Sequence, residues 1–215
     1  MTKEKSPLIF LLLTAFSILT VLVAKQVTRS FDWMVTVWIQ KPASHELDLG
    51  MYFFTILGSV EFSCFALLIV SWYLYRKYEW QGAFLYLFFF MALSGVEYLW
   101  KFVVTSTPPP PEFLRHPFPL GLLLVNTPYS FPSGHTFRSI FLLGIWYQRL
   151  NQELIPAGGN IFIQKAVIVI GMALVCVSRI YLGDHWLSDV VGGCLLAWIG
   201  LLFVSRSPHF ELRPA

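Results

Sequence analysis

Residues 165–205 read KAVIVIGMALVCVSRIYLGDHWLSDVVGGCLLAWIGLLFVS. Two apolar runs, 165–181 and 186–205, flank the short polar stretch Leu182-Gly183-Asp184-His185. Each run approaches the roughly 20 residues an α-helix needs to cross the hydrocarbon core of a bilayer. Gly183-Asp184 reads as a break followed by an N-cap, which places His185 in the first turn of the second helix. In lipid the backbone must satisfy its own hydrogen bonds, so the pair reads as two spanning helices joined by a tight polar turn.

The rest of the chain extends the pattern. Of 215 residues, 56% are hydrophobic and 13% charged, about half the charge of an average globular protein. Aromatic residues make up 17%, as expected where Trp and Tyr gather at membrane interfaces. Six runs qualify as spans, at 7–24, 57–75, 83–103, 134–148, 165–181 and 186–205. The expected fold is all-α, an integral membrane bundle of six transmembrane helices forming a single domain over 1–215 with its core at about 57–205. The first run is longer than a signal-peptide core and has a poor cleavage site at Leu22-Val23-Ala24, so it reads as an uncleaved anchor. Residues 31–41 carry Trp33, Val37 and Trp38 among polar residues; they read either as a short amphipathic piece at the interface or as a plain loop.

An even number of spans puts both termini on one face, with Lys3, Lys5, Arg76, Lys77, Arg149, Arg206 and Arg213. Lys25, Arg29, Lys41, Lys101, Arg115 and Arg179 fall on the other. The positive-inside bias then favours cytoplasmic termini. A formal charge of +3 provides no basic stripe for nucleic acid. Cys64, Cys176 and Cys194 lie in apolar runs and read as small hydrophobes, with neither a disulfide framework nor a metal site.

Polar residues recur at the ends of the runs. Lys101 closes the third, Pro132-Ser133-Gly134-His135 opens the fourth, Ser178-Arg179 closes the fifth, and His185 and Asp189 open the sixth. With six spans, all four places share one membrane face, and ionisable groups at that depth mark a working site. Ser133 is an N-cap type and Gly134 permits close backbone approach, so this helix start offers free N–H groups to an anion. Arg179 adds a planar fork matched to phosphate oxygens, and Lys101 a point charge. His185 and Asp189, four residues apart, share a helix face. A carboxylate accepting from one imidazole nitrogen leaves the other free to attack, and a helix start disfavours imidazolium. His135 fits the acid that protonates a departing alcohol oxygen.

These residues resemble the second and third signature motifs of the type-2 phosphatidic-acid phosphatase superfamily. Pro132 to His135 matches Pro-Ser-Gly-His, and Ser178, Arg179, His185 and Asp189 match Ser-Arg, five residues, His, three residues, Asp. The resemblance, with the span layout, covers about 57–205. It implies hydrolysis of a lipid phosphate or diphosphate through a phosphohistidine, with neither metal nor cofactor. His185 would be the nucleophile, Asp189 its orienter and His135 the general acid, with Ser133, Gly134 and Arg179 binding phosphate. Undecaprenyl diphosphate, phosphatidic acid and phosphatidylglycerol phosphate are the implied substrate classes. The partners are then the lipid substrate and membrane lipids, with the site at the outer face of the cell membrane. Two other readings stand beside it: a lipid phosphotransferase using the same histidine chemistry, and a non-catalytic lipid-binding relative.

The first family motif is Lys, six residues, Arg-Pro. Lys101 and Pro109 match, but Pro108 stands where the arginine is expected and offers no donor. Arg138, three residues after His135 and on nearly the same helix face, is the expected substitute; Arg115 in the loop is the second choice. Glu97, one turn before Lys101, is placed to hold it by an ion pair, while Glu61 needs a partner such as Lys101 or Arg138. His45, His116 and His209 receive no role. The long stretch 105–131, with Pro108 to Pro111 favouring extended polyproline geometry, reads as a lid or binding loop.

Overall fold

Every regular element among the described residues is helical, as a lipid solvent demands. The computed structural model describes residues 5–77, 80–118, 127–150 and 160–205; Lys3, Pro119, Arg206, His209 and Arg213 lie outside them. The helices are α1 (Lys5–Ala24), α2 (Arg29–Gln40), α3 (His45–Ile56), α4 (Val60–Lys77), α5 (Trp80–Val104), α6 (Gly134–Leu150), α7 (Ile161–Tyr181) and α8 (Leu187–Val204), with a 3-10 turn at Pro111–Phe113.

Helices α1, α5, α7 and α8 are each long and apolar enough to cross a membrane, and α3 with α4 forms a fifth candidate bent by 44°. The protein is therefore a multi-pass membrane protein. All six expected runs fall on helices, yet the count of six spans is approximate. Helix α6 has only 17 residues and carries Arg138 and Arg149. It tolerates them because protein surrounds it: Phe137, Ile140, Phe141, Leu142 and Ile145 are all buried, against α8, α7, α4 and α5. By contrast Leu8, Phe10 and Ile18 of α1, Phe84 and Phe88 of α5 and Ile163, Val167 and Ile170 of α7 are exposed, the apolar surface that lipid covers.

Helices α6 and α8 pack closely. A Cβ on Gly193 would lie 2.5 Å from the Ser133 carbonyl oxygen, and one on Gly144 would lie 2.3 Å from Leu201. Small residues let the two backbones approach, the usual way helices associate where lipid removes the hydrophobic drive. This brings the start of α6 beside the start of α8, where the Ser133 N–H donates to the Asp189 carbonyl at 2.9 Å.

The segment 31–41 is the helix α2 rather than a loop, and 45–56 forms a further helix before the second expected span. Asp32 explains how α2 docks. It is 3% exposed, and its carboxylate accepts from the Ser188 N–H at 2.9 Å and the Ser188 hydroxyl at 2.8 Å. A side chain 156 residues away thus satisfies a donor left free at the start of α8. Arg29, one turn earlier on α2, lies over the Trp186 ring at 4.8 Å and donates to Thr107. Asp32→Ala should lower stability by about 1–3 kcal/mol, the cost of stranding buried donors, read as a lower thermal midpoint in detergent; an unchanged midpoint contradicts this role.

Candidate active site

One cavity of about 660 Å³ gathers residues from all the helix ends named above. Lys101 of α5, Gly134, His135 and Arg138 of α6, Arg179 of α7 and His185 of the α7–α8 turn line it, with Glu61, Glu97 and Asp184. Its remaining wall is largely apolar, including Val60 of α4, Phe90 and Met91 of α5, and Leu114. Pro108 and Pro109 of the proline-rich loop also face it.

Each cation is held by a specific partner. Lys101 Nζ is 3.0 Å from Glu97 Oε1, one helical turn away, and donates to the carbonyls of Ser130 at 3.2 Å and Pro132 at 2.7 Å. Its three donors are thereby engaged, so it braces the loop leading into α6 while adding charge. Arg138 Nε donates to the Gly58 carbonyl at 3.0 Å, tying α6 to the break between α3 and α4. Arg179, 2% exposed, pairs through Nη1 with Asp184 Oδ2 at 3.0 Å and donates to Thr55 Oγ1 of α3.

Gly134 has no room for a side chain, since a Cβ there would lie 2.8 Å from Glu97 and 2.9 Å from Arg138. Ser133 is buried behind the cavity wall, and its hydroxyl caps α6 by accepting from the Thr136 N–H at 3.4 Å.

His185 does not lie in the first turn of α8. The helix begins at Leu187 with Trp186 as its N-cap, because the Asp189 carboxylate accepts from the Trp186 N–H at 2.9 Å and closes the turn there. The same Oδ2 lies 3.5 Å from His185 Nδ1, close to the imidazole but without a hydrogen bond to it. Burial, and after it the Arg179 and Lys101 cations, hold the His185 imidazole well below its ordinary value. Asp184 is not the cap of α8 either. It bridges Arg179 and His116, whose Nε2 lies 2.8 Å from Oδ1. Burial works against its charge, but Arg179 and His116 outweigh this and hold the carboxyl below the usual range.

Arg115, the second choice, does not line the cavity. It forms a two-point pair with Asp48 of α3, at 2.8 and 3.0 Å, and Tyr181 donates to the same carboxylate at 2.6 Å. Sequence reasoning missed Asp32, Asp48, Thr55 and His116, each partnered with a residue more than 60 positions away and carrying no local signal.

The family described as the PAP2 superfamily matches residues 82–213. The fold is similar to the transmembrane PAP2-type phosphatidylglycerolphosphate phosphatase from Bacillus subtilis, 22% identical with a TM-score of 0.75, over 92% of this chain and 94% of that one. It is also similar to LpxE of Aquifex aeolicus, 20% identical with a TM-score of 0.57, over 81% of this chain and 94% of that one. No curated protein matches the sequence.

The turn that carries His185 rests on Gly183. Its φ is +76°, and a Cβ would lie 2.1 Å from the Phe113 carbonyl oxygen. Gly183→Ala should therefore cost more than the roughly 1–2 kcal/mol of placing a side chain in the left-handed region, since turn and loop must also separate. Thermal unfolding in detergent checks this; a midpoint equal to the parent's contradicts it.

Proposed function

The chain belongs to the PAP2 superfamily, and from that premise we propose that it is a lipid phosphatase working through a phosphohistidine. The observation that carries this reading is the single cavity in which Arg138, Arg179, His135 and His185 meet beside apolar walls from α4 and α5. Cations and helix-start N–H groups suit a phosphate headgroup, and the apolar walls suit the chain attached to it.

In the proposed cycle the phosphate lies against Arg179, Arg138 and the start of α6 at Gly134, with Lys101 adding charge. His185 Nε2 attacks phosphorus, and Asp189 steadies the imidazole from the Nδ1 side. The bond from phosphorus to the lipid oxygen breaks, and His135 gives that oxygen a proton. Water then attacks the phosphohistidine, His135 takes its proton, and phosphate leaves with His185 restored. Ser133 shapes the site by capping α6 rather than by touching phosphate. Arg138 takes the place left by Pro108. No step needs a metal or a cofactor. The cytoplasmic termini and outward-facing site expected from the charge bias belong to the same proposal, with undecaprenyl diphosphate, phosphatidic acid or phosphatidylglycerol phosphate as substrate.

Full-length protein in detergent and EDTA, given a panel of these lipids, should release phosphate and be inhibited by vanadate. His185→Ala should lower release by at least about a thousandfold. Release that strictly requires a divalent metal, or that survives His185→Ala, overturns the mechanism. Phosphate passing to a second lipid while free phosphate stays low identifies the transferase instead.

The pH profile gives a second test. The neutral imidazole attacks, and burial with the neighbouring cations lowers the pKa of His185, so the neutral form persists as pH falls. The acid limb of kcat/KM should lie below about 6.5, the ordinary imidazole value. A limb at or above that value contradicts the assignment.

A further inference from the structure

The proline-rich loop faces the cavity with Pro108, Pro109, Pro111 and Leu114, none of which carries a charge. It is nevertheless pinned against the α7–α8 turn. Gln40 Nε2 donates to the Phe113 carbonyl at 2.8 Å, the Arg115 N–H donates to the Leu182 carbonyl at 3.1 Å, and Arg115 pairs with Asp48. His116 comes next. Its Nε2 is 2.8 Å from Asp184 Oδ1, while Asp184 Oδ2 is 3.0 Å from Arg179 Nη1. The same Nη1 donates to Thr55. A continuous line of polar contacts therefore runs from the loop to the buried guanidinium.

We propose that His116 and Asp184 are positioning residues that set Arg179 for phosphate binding; this rests on the phosphatase reading above. Arginine binds phosphate best with two parallel N–H groups along one edge. Here Nη1 is taken from two directions, by Thr55 of α3 and by Asp184 of the turn, so the guanidinium cannot swing. Nε is buried without a hydrogen-bond partner among the described residues, leaving the Nε–Nη2 edge for a ligand. Left to itself, Asp184 would compete with phosphate for Arg179. His116 occupies its other oxygen and shares its charge, so the carboxylate orients the arginine without closing a full ion pair over it. The loop thus contributes to phosphate binding from behind the cavity wall, in a chain whose position 108 supplies no cation.

The test uses full-length protein in detergent with a short-chain phosphatidic acid as substrate and vanadate as inhibitor. His116→Ala should raise KM and the vanadate inhibition constant about tenfold, as expected on losing one charge-assisted hydrogen bond, with a smaller change in kcat. His116→Gln retains an N–H donor near the same oxygen and should recover most of the affinity, which a loss of packing alone would not predict. In an Arg179→Lys background, His116→Ala should add less than about twofold, because coupled residues are not additive. Parent-like affinity in His116→Ala, equal damage in both His116 variants, or an undiminished effect in the Arg179→Lys background each overturns the positioning role while the phosphatase reading stands. A parent protein that neither releases phosphate nor responds to vanadate overturns both.

Discussion

Buried guanidinium and ammonium groups must be compensated within a few ångströms, and much of this molecule follows from that constraint. Removing one partner of a buried ion pair costs about 3–5 kcal/mol, since the other charge is left without solvent. Arg179 lies almost wholly inside the protein and is met by Asp184 and by Thr55 from α3. Lys101 is met by Glu97 and two carbonyls. These partners come from separate stretches of chain, so compensating the charges also joins α3, α5, α7 and the loop before α6.

The compensation is incomplete where a ligand would bind. Among the described residues Arg179 Nε and His185 Nδ1 are buried without a hydrogen-bond partner, the latter 3.5 Å from Asp189 Oδ2. On the proposed phosphatase reading, a site that holds cations at one edge and leaves another edge free is preorganised for an anion, its ordering achieved before the ligand arrives. Lys101 differs, because its donors are already engaged; it contributes charge and bracing.

The segments outside the long apolar helices serve the same end. Helix α2 brings Asp32 to the first turn of α8 and Arg29 to Trp186. Helix α3 supplies Thr55 to Arg179 and Asp48 to Arg115. The start of α8, which follows directly on His185, is thereby held from several sides. The proline-rich loop reads on this basis as a fixed wall over residues 108–116, tied at Phe113, Arg115 and His116.

By itself the sequence determined the apolar helices and the helix ends at which Lys101, Ser133 to His135, Arg179, His185 and Asp189 sit. Those properties depend on hydropathy over about 20 residues and on spacing within one turn, both of which are local. The Glu97–Lys101 pair was legible for the same reason. Only the tertiary structure decided that Asp184 bridges Arg179 and His116 instead of capping α8, that Arg115 turns away from the cavity, and that Asp32 completes the start of α8. It also decided that α6 is shielded by protein. Each of these depends on which donor meets which acceptor across a packed interface, and hydropathy and spacing along the chain carry no record of that pairing.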